Sequence, residues 1–338
     1  MQCGKQTTIL EHPVYIRSCA SVAGEKESEG PLGDYFDVAV KDPMFGMNNW
    51  EEAESRLQEM TIDKLMIKAD VNAADIRYIF AGDLLGQLIA TTYGLKKYDI
   101  PLFGLYGACS TMGEAVSLGA LCVDSGAAER VIALASSHFA SAEKQFRYPL
   151  EYGNQRPESS TWTATGCGAV LLDRKEGSMK VRGFTTGKIV DYGVKDSMNM
   201  GACMAPAAAD LIAANLKDIG EKPDYYDMII TGDLGYVGQK ILFDLLKERG
   251  YKISDRHMDC GIEIFAGSEE DTKAGGSGCG CSAITLCTLV EERIRSGKWN
   301  RVLFVPTGAL QSTVSYNEGR SIPGIAHGII LERGIMHK

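Results

Sequence analysis

No stretch of this 338-residue sequence approaches the roughly 18 uninterrupted apolar residues of a membrane-spanning helix. Met1 to Leu10 is polar at its start and carries no signal-peptide apolar run, so a cytoplasmic protein is expected. A basic excess is missing too. Lys and Arg total 35 against 44 Asp and Glu, a net charge of −9, which argues against nucleic acid as the main partner because phosphate contacts dominate that affinity. Histidine is scarce, at five residues. The Cys279–Cys281 pair has no second pair and no nearby histidine to complete a zinc site, so no resident metal is expected. Ten cysteines in a cytosolic chain of this length are expected to be reduced and mostly buried rather than a disulfide framework.

What the sequence does have is an internal repeat. Residues 76–87, IRYIFAGDLLGQ, are echoed by 226–239, YDMIITGDLGYVGQ, with Asp83 and Asp233 standing 150 residues apart. The segment FGLYGACSTMGEAVSLGALCV (103–123) is echoed by KAGGSGCGCSAITLCTLV (273–290), each a Gly/Cys/Ser turn opening an apolar helix. ERVIALASSH (129–138) matches NRVLFVPTGA (300–309), and TGCGAVLLDR (165–174) matches IAHGIILERG (325–334). Four matched elements in one order point to duplication with loop insertions. The halves are placed at 1–176 and 177–338, meeting in the polar stretch DRKEGS, with an unmatched insertion at about 139–163.

Short Ile/Val/Leu-rich runs predict buried strands at 76–82, 129–136, 168–173, 226–231, 301–306 and 326–332. Helices are expected at 49–68, 111–125, 204–215, 239–249 and 282–295, with Pro206 in the first turn of the third, where proline is tolerated. Alternating strands and helices predict a layered α/β fold.

Gly107-Ala108-Cys109-Ser110-Thr111 opens a helix. A cysteine there faces unpaired backbone N–H groups and the positive end of the helix dipole, and both favour the thiolate of a nucleophile. A small buried cysteine packed at a tight turn fits the same residues. His138, at a strand end, and His327, in the closing loop of the second half, are pocket candidates or core histidines. His12, His257 and His337 have no supporting context.

The apolar strand, the Gly-Ala-Cys-Ser-Thr turn and the small-residue helix, set in a duplicated chain, resemble the thiolase superfamily. That resemblance implies two similar halves in a five-layer α-β-α-β-α arrangement, with Cys109 at the nucleophile position. A condensing enzyme of that superfamily needs a histidine where Asp233 stands and an asparagine or histidine where Ser277 stands, so an imidazole-built oxyanion hole has no equivalent here. A closer resemblance, carried by EHPVYI (11–16), AGDLLGQ (81–87), SSHFASAEKQFRYPLEYGNQRP (136–157), MAPAAAD (204–210) and IPGIAHGIILER (322–333), is to the stage V sporulation protein AD family of endospore formers. It implies binding of dipicolinic acid, free or with calcium, in the degenerate active-site pocket. It also implies a place at the spore inner membrane beside the membrane subunits of a dipicolinate channel, and a homodimer. No cofactor is implied.

A ligand with two carboxylates on a flat ring asks for N–H donors, a cation and an apolar wall. The candidates are the helix start at Cys109, the glycine turn Gly275, Gly276, Ser277 and Gly278, the imidazoles of His138 and His327, and Lys144, Arg147 and Arg156 of the insertion, whose charges fit a solvated surface equally well. Asp83 and Asp233 suit this ligand if buried and hydrogen-bonded, or if calcium accompanies it. Two functions follow. One is a binding protein using an inherited pocket. The other is an acyltransferase or condensing enzyme with Cys109 as nucleophile and His327 as base.

Overall fold

The structure, a computed structural model, describes residues 1–146 and 156–335. Its frame is one mixed sheet in which two five-strand runs meet edge to edge. The first run is built from β1 (Tyr15–Gly24), β2 (Tyr78–Gly82), β3 (Leu102–Gly104), β4 (Arg130–Ser137) and β5 (Gly166–Asp173), ordered β1-β5-β4-β2-β3. The second is built from β6 (Gly177–Thr186), β7 (Met228–Thr231), β8 (His257–Asp259), β9 (Arg301–Val305) and β10 (Gly324–Ile335), ordered β6-β10-β9-β7-β8. Each run pairs its first three strands antiparallel and its last two junctions parallel. The runs join where β1 and β6 pair, Ile16 opposite Met179 and Tyr15 opposite Lys180.

Alternation along the strands sets the layers. On β4, Ile132 and Leu134 face outward onto the helix α1 (Trp50–Ala69), whose Leu57, Ile62 and Leu65 cover that side. Val131 and Ala133 face inward onto α2 (Thr111–Asp124), through Met112 and Val116. On β9, Val302 and Phe304 join that same inner core. Leu303 and Val305 face outward onto α3 (Met200–Ile219) and α4 (Gly235–Glu248). The helix α5 (Cys279–Thr285) lies beside α2 in the middle layer, packed on β4 and β5. The result is the five-layer α-β-α-β-α arrangement.

Three expectations change. β1 and β6, the strands that join the runs, went unread, because YIRSCASVAG and GSMKVRGFTT interleave polar residues that mask their apolar face. Pro206 is not in the first turn of its helix. The Asn199 side chain accepts from Ala202 N and starts α3 at Met200, so the proline lies a turn further in, where its missing N–H leaves a carbonyl one turn back without its usual donor. The helix expected over 282–295 begins at Cys279 and passes through a π-helical turn, Leu286–Val290, before Glu291–Arg295.

Candidate functional site

The site is built around the turn before α2. Ala108 holds a left-handed conformation at φ +49°, uncommon outside glycine, within the short 3-10 turn Ala108–Ser110. Two hydroxyls fix the turn: Ser110 Oγ donates to Gly107 O at 2.7 Å and Thr111 Oγ1 to Ala108 O at 2.7 Å. Gly308 seats the second half against it, since a Cβ there would come within 2.3 Å of Gly107 O. The Cys109 thiol is thereby held at the floor of a narrow, partly open pocket of about 40 Å³. Its wall includes Leu84, Tyr106, Thr163, Met200, Met204 and Ser277, with Ala142 and Glu143 from the helix Phe139–Phe146, Ala309 from the short strand Thr307–Ala309 and Gln311 just after it.

Behind Cys109 lies a hydrogen-bonded carboxyl. Cys109 Sγ is 4.0 Å from Ser277 Oγ, which donates to Asp233 Oδ2 at 3.1 Å. Asp233 also accepts from Gly278 N at 3.1 Å and from Thr307 Oγ1 at 2.7 Å. Burial, only partly offset by these bonds, pushes the Asp233 carboxyl up to about 7. Burial first, and then the charge of Asp233, push the Cys109 thiol well above its ordinary value. This direction runs opposite to the one a helix N-terminus favours, because desolvation and a like charge both act against the thiolate.

Three helices nonetheless start at the wall. α2 follows Cys109, α3 begins at Met200, and α5 follows Ser277. Among the described residues the only charged one lining this space is Glu143, and amides at the starts of α3 and α5 are already taken by Asn199 and Asp233. Glu143 is itself paired with the buried Arg156 at 3.1 Å.

A family model described as "Stage V sporulation protein AD (SpoVAD)" matches residues 4–332. The chain is 43% identical to "Stage V sporulation protein AD" of Bacillus subtilis (strain 168) over 330 residues, spanning 98% of this chain and 97% of that one. The chain belongs to the stage V sporulation protein AD family. Among solved structures it is similar to 3-oxoacyl-[acyl-carrier-protein] synthase III from Aquifex aeolicus VF5, at 14% identity and TM-score 0.53, covering 96% of this chain and 99% of that one. It is similar too to AbyA1, a tetronic acid condensing enzyme, at 17% identity and TM-score 0.56, covering 94% and 99%. A third is a histidine-to-aspartate variant of OleA from Xanthomonas campestris, at 12% identity and TM-score 0.58, covering 96% and 100%. At these identities the likeness is one of fold, and the fold is thiolase-like.

Cys109, Ser277 and Asp233 are brought together, whereas other expected residues go elsewhere. Asp83 is fully buried and occupied in structure: it accepts from Leu85 N and Thr91 N, each at 2.8 Å, and from Thr91 Oγ1 at 2.6 Å. In the turn at 275–278, Gly275 N is spent on Thr272 O and Gly278 N on Asp233. Gly276 packs on the Phe265 ring. The backbone of His327 presses on Gly113 in the first turn of α2, but its ring is not part of the wall, and burial lowers it to about 4. His138 faces a different cleft. Its Nδ1 accepts from Ala140 N at 3.2 Å and its Nε2 donates to Pro43 O at 2.8 Å, so the ring is a neutral structural group. Arg156 stacks over Phe139 and Trp162 and pairs with Glu143 instead of reaching into the pocket. Arg147 and the side chain of Lys144 lie outside the described residues. No group of three or more His, Cys, Asp or Glu among the described residues is placed to hold a metal ion. Tyr106, Glu143, Met200, Met204 and Gln311 escaped the sequence reading. Only Tyr106, three residues before Cys109, and the i, i+4 spacing of the two methionines carried any signal.

Proposed function

We propose that this sporulation protein binds dipicolinic acid in the pocket over Cys109 and does not turn it over. The observation that carries this reading is the thiol itself. It occupies the nucleophile position of a condensing-enzyme fold, yet burial and Asp233 keep it protonated, and the serine and aspartate beside it replace the groups such chemistry needs. The pocket has room for only a few waters, so admitting the ligand requires its wall to yield. The ligand is taken to enter free or with calcium, the two cases the titration below separates.

The same reading places the protein at the spore inner membrane, beside membrane subunits, as a partner and not as a spanning element. No helix among the described residues is long and apolar enough to cross a bilayer. It also proposes a homodimer through β3, an edge strand that exposes Leu102 and Phe103, with Tyr93 and Tyr106 exposed nearby.

Titration calorimetry with pyridine-2,6-dicarboxylate, with and without calcium, tests the binding. Saturable heat that is lost when Ala309→Phe fills the void supports it, and absence of heat at millimolar ligand in both conditions overturns it. An acyl adduct on Cys109 after incubation with acyl-CoA, found by mass spectrometry, would favour the acyltransferase instead.

A further inference from the structure

Three buried carboxyls stand directly behind the wall of the Cys109 pocket. Asp233 meets it through Ser277, and Asp83 precedes the wall residue Leu84. Glu54, on α1, accepts from Ser141 Oγ at 2.7 Å, one residue before Ala142 of the wall, and from Ser136 Oγ at 2.8 Å. The Gln58 amide ties Glu54 to Asp83, donating to Ser136 Oγ at 2.8 Å and to Thr91 Oγ1 at 3.1 Å. The Cys279 thiol, pushed up chiefly by burial, is pushed further by Cys109, Glu54, Asp83 and Asp233, so these groups act on one small region.

Hydroxyls and backbone amides are the donors to all three acids, and none of the three forms an ion pair among the described residues. The charges around them are negative as well. Asp83 and Glu51 act on Glu54, Glu51 on Asp83, and Asp259 on Asp233. The thiol of Cys167 is the other titratable group packed against Glu54, and those of Cys109, Cys260 and Cys281 lie near Asp233. In the pocket lining, the single described charge is Glu143, already paired with Arg156. An anion entering here meets carboxylates before it meets a cation.

Protons are the positive charge this region can gain. Glu54 keeps its bonds in either state. Charged, it accepts from both serines. Protonated, it donates to Ser141 Oγ, which then donates to His138 O at 3.0 Å. The Ser277 and Thr307 hydroxyls beside Asp233 can turn in the same way. Burial raises Glu54 to about 8 and Asp233 to about 7, so both exchange protons near neutral pH.

We propose that the Cys109 pocket takes up protons together with its anion, and that Glu54 and Asp233 carry them. The inference rests on the reading of this pocket as an anion site. A bound anion stabilises the protonated acids, and by linkage protonation tightens the anion. Below about pH 6 both acids already hold their protons in the empty pocket, so binding takes up few more. Towards pH 8 the empty pocket gains charge and affinity falls.

Calorimetry of the full chain with pyridine-2,6-dicarboxylate, in calcium-free phosphate and Tris, tests this. The difference in heat between buffers of unlike ionisation enthalpy reads the protons taken up. About one proton is expected at pH 7.5 and fewer at pH 5.5, with affinity about tenfold tighter at pH 6 than at pH 8. Combining Glu54→Gln with Asp233→Asn should abolish the uptake and flatten the affinity with pH. Saturable heat that is equal in both buffers at pH 7.5, with affinity independent of pH, overturns the inference and leaves the binding reading standing. Uptake that persists in the double variant also overturns it, because the protons then go elsewhere. Absence of heat at millimolar ligand at both pH 6 and pH 8 overturns both readings. The two-buffer comparison on the wild type needs no variant to fold.

Discussion

The contest at Cys109 is between a helix terminus, which stabilises a thiolate, and two opposing terms, loss of water and a carboxylate. A terminal dipole is worth up to about 2 kcal/mol in favourable, partly buried geometries, whereas full burial of an ionisable group shifts it by up to several pKa units, at about 1.4 kcal/mol each. Asp233 is the removable part of the opposition. In Asp233→Asn the like charge is gone; with the amide oxygen in the Oδ2 place Ser277 and Gly278 keep their acceptor, while the Thr307 hydroxyl turns to accept from the new NH2. At pH 8, where Asp233 with its value of about 7 is mostly charged in the wild type, alkylation of Cys109 by iodoacetamide should be several-fold faster in the variant. The rate is read by mass spectrometry of the Cys109 peptide, and equal rates would remove Asp233 from the account. Both residues were legible in the sequence because glycine-rich turns fix where they lie. The failure to see that Asp83 would be spent on Thr91 and Leu85 has a physical cause: the same Gly-Asp-Leu motif meets a helix in one half and the partner turn in the other, and only packing distinguishes them.

At the scale of the element, the pocket depends on where three helices begin. Asn199 accepts from Ala202 N at 3.2 Å and sets the start of α3, so Asn199→Ala should cost about 1 kcal/mol in urea unfolding with an unchanged m-value. A change within error would mean that packing of Met204 and its neighbours, not the cap, fixes this end. The edge strand β3 makes a separate prediction. Phe103→Lys places a charge on the exposed edge and should convert the proposed dimer to monomer in sedimentation velocity, while a wild type that already sediments as a monomer rules that interface out. The strands and helices read from apolar runs were those whose pattern is carried by their own residues. β1 and β6 escaped because Arg17, Ser18, Lys180 and Arg182 break the run. Their place at the centre of the sheet comes from pairing with each other and with β5 and β10, which is long-range information. The methionines of the wall and Glu143 were hidden for a like reason: nothing local says which face of a helix will meet the void.

For the molecule as a whole, the buried acids and the buried imidazoles pull stability in opposite directions with pH. Burial raises Glu54 to about 8, Glu27 to about 7 and Asp233 to about 7, and raises Asp83 and Asp259 as well. An acid with a raised value binds its proton more tightly folded than unfolded. Its contribution is present at low pH and is lost as pH climbs from the unfolded value through the folded one. Burial lowers His257 to about 3 and His327 to about 4, and lowers His138 too. Their contribution has the opposite sense: it is lost on acidification through about pH 6.5, where the unfolded chain takes up the protons. Between about pH 5 and 6.5 the two groups largely cancel. Above 6.5 the imidazoles are neutral in both states and only the acids act, so stability should fall towards pH 8. Over the window from pH 6.5 to 8 the three valued acids together account for about a few kcal/mol. Thermal unfolding at constant ionic strength should therefore show a melting temperature highest near pH 6 and declining to pH 8, and Glu54→Gln should flatten the decline. Glu54 is the telling choice because it accepts from Ser136 Oγ at 2.8 Å and Ser141 Oγ at 2.7 Å far from any solvent, so an amide removes the titration while keeping an acceptor for one serine and offering an NH2 to the other. A melting temperature that rises steadily through pH 8 would mean that these carboxyls titrate normally and that water reaches them.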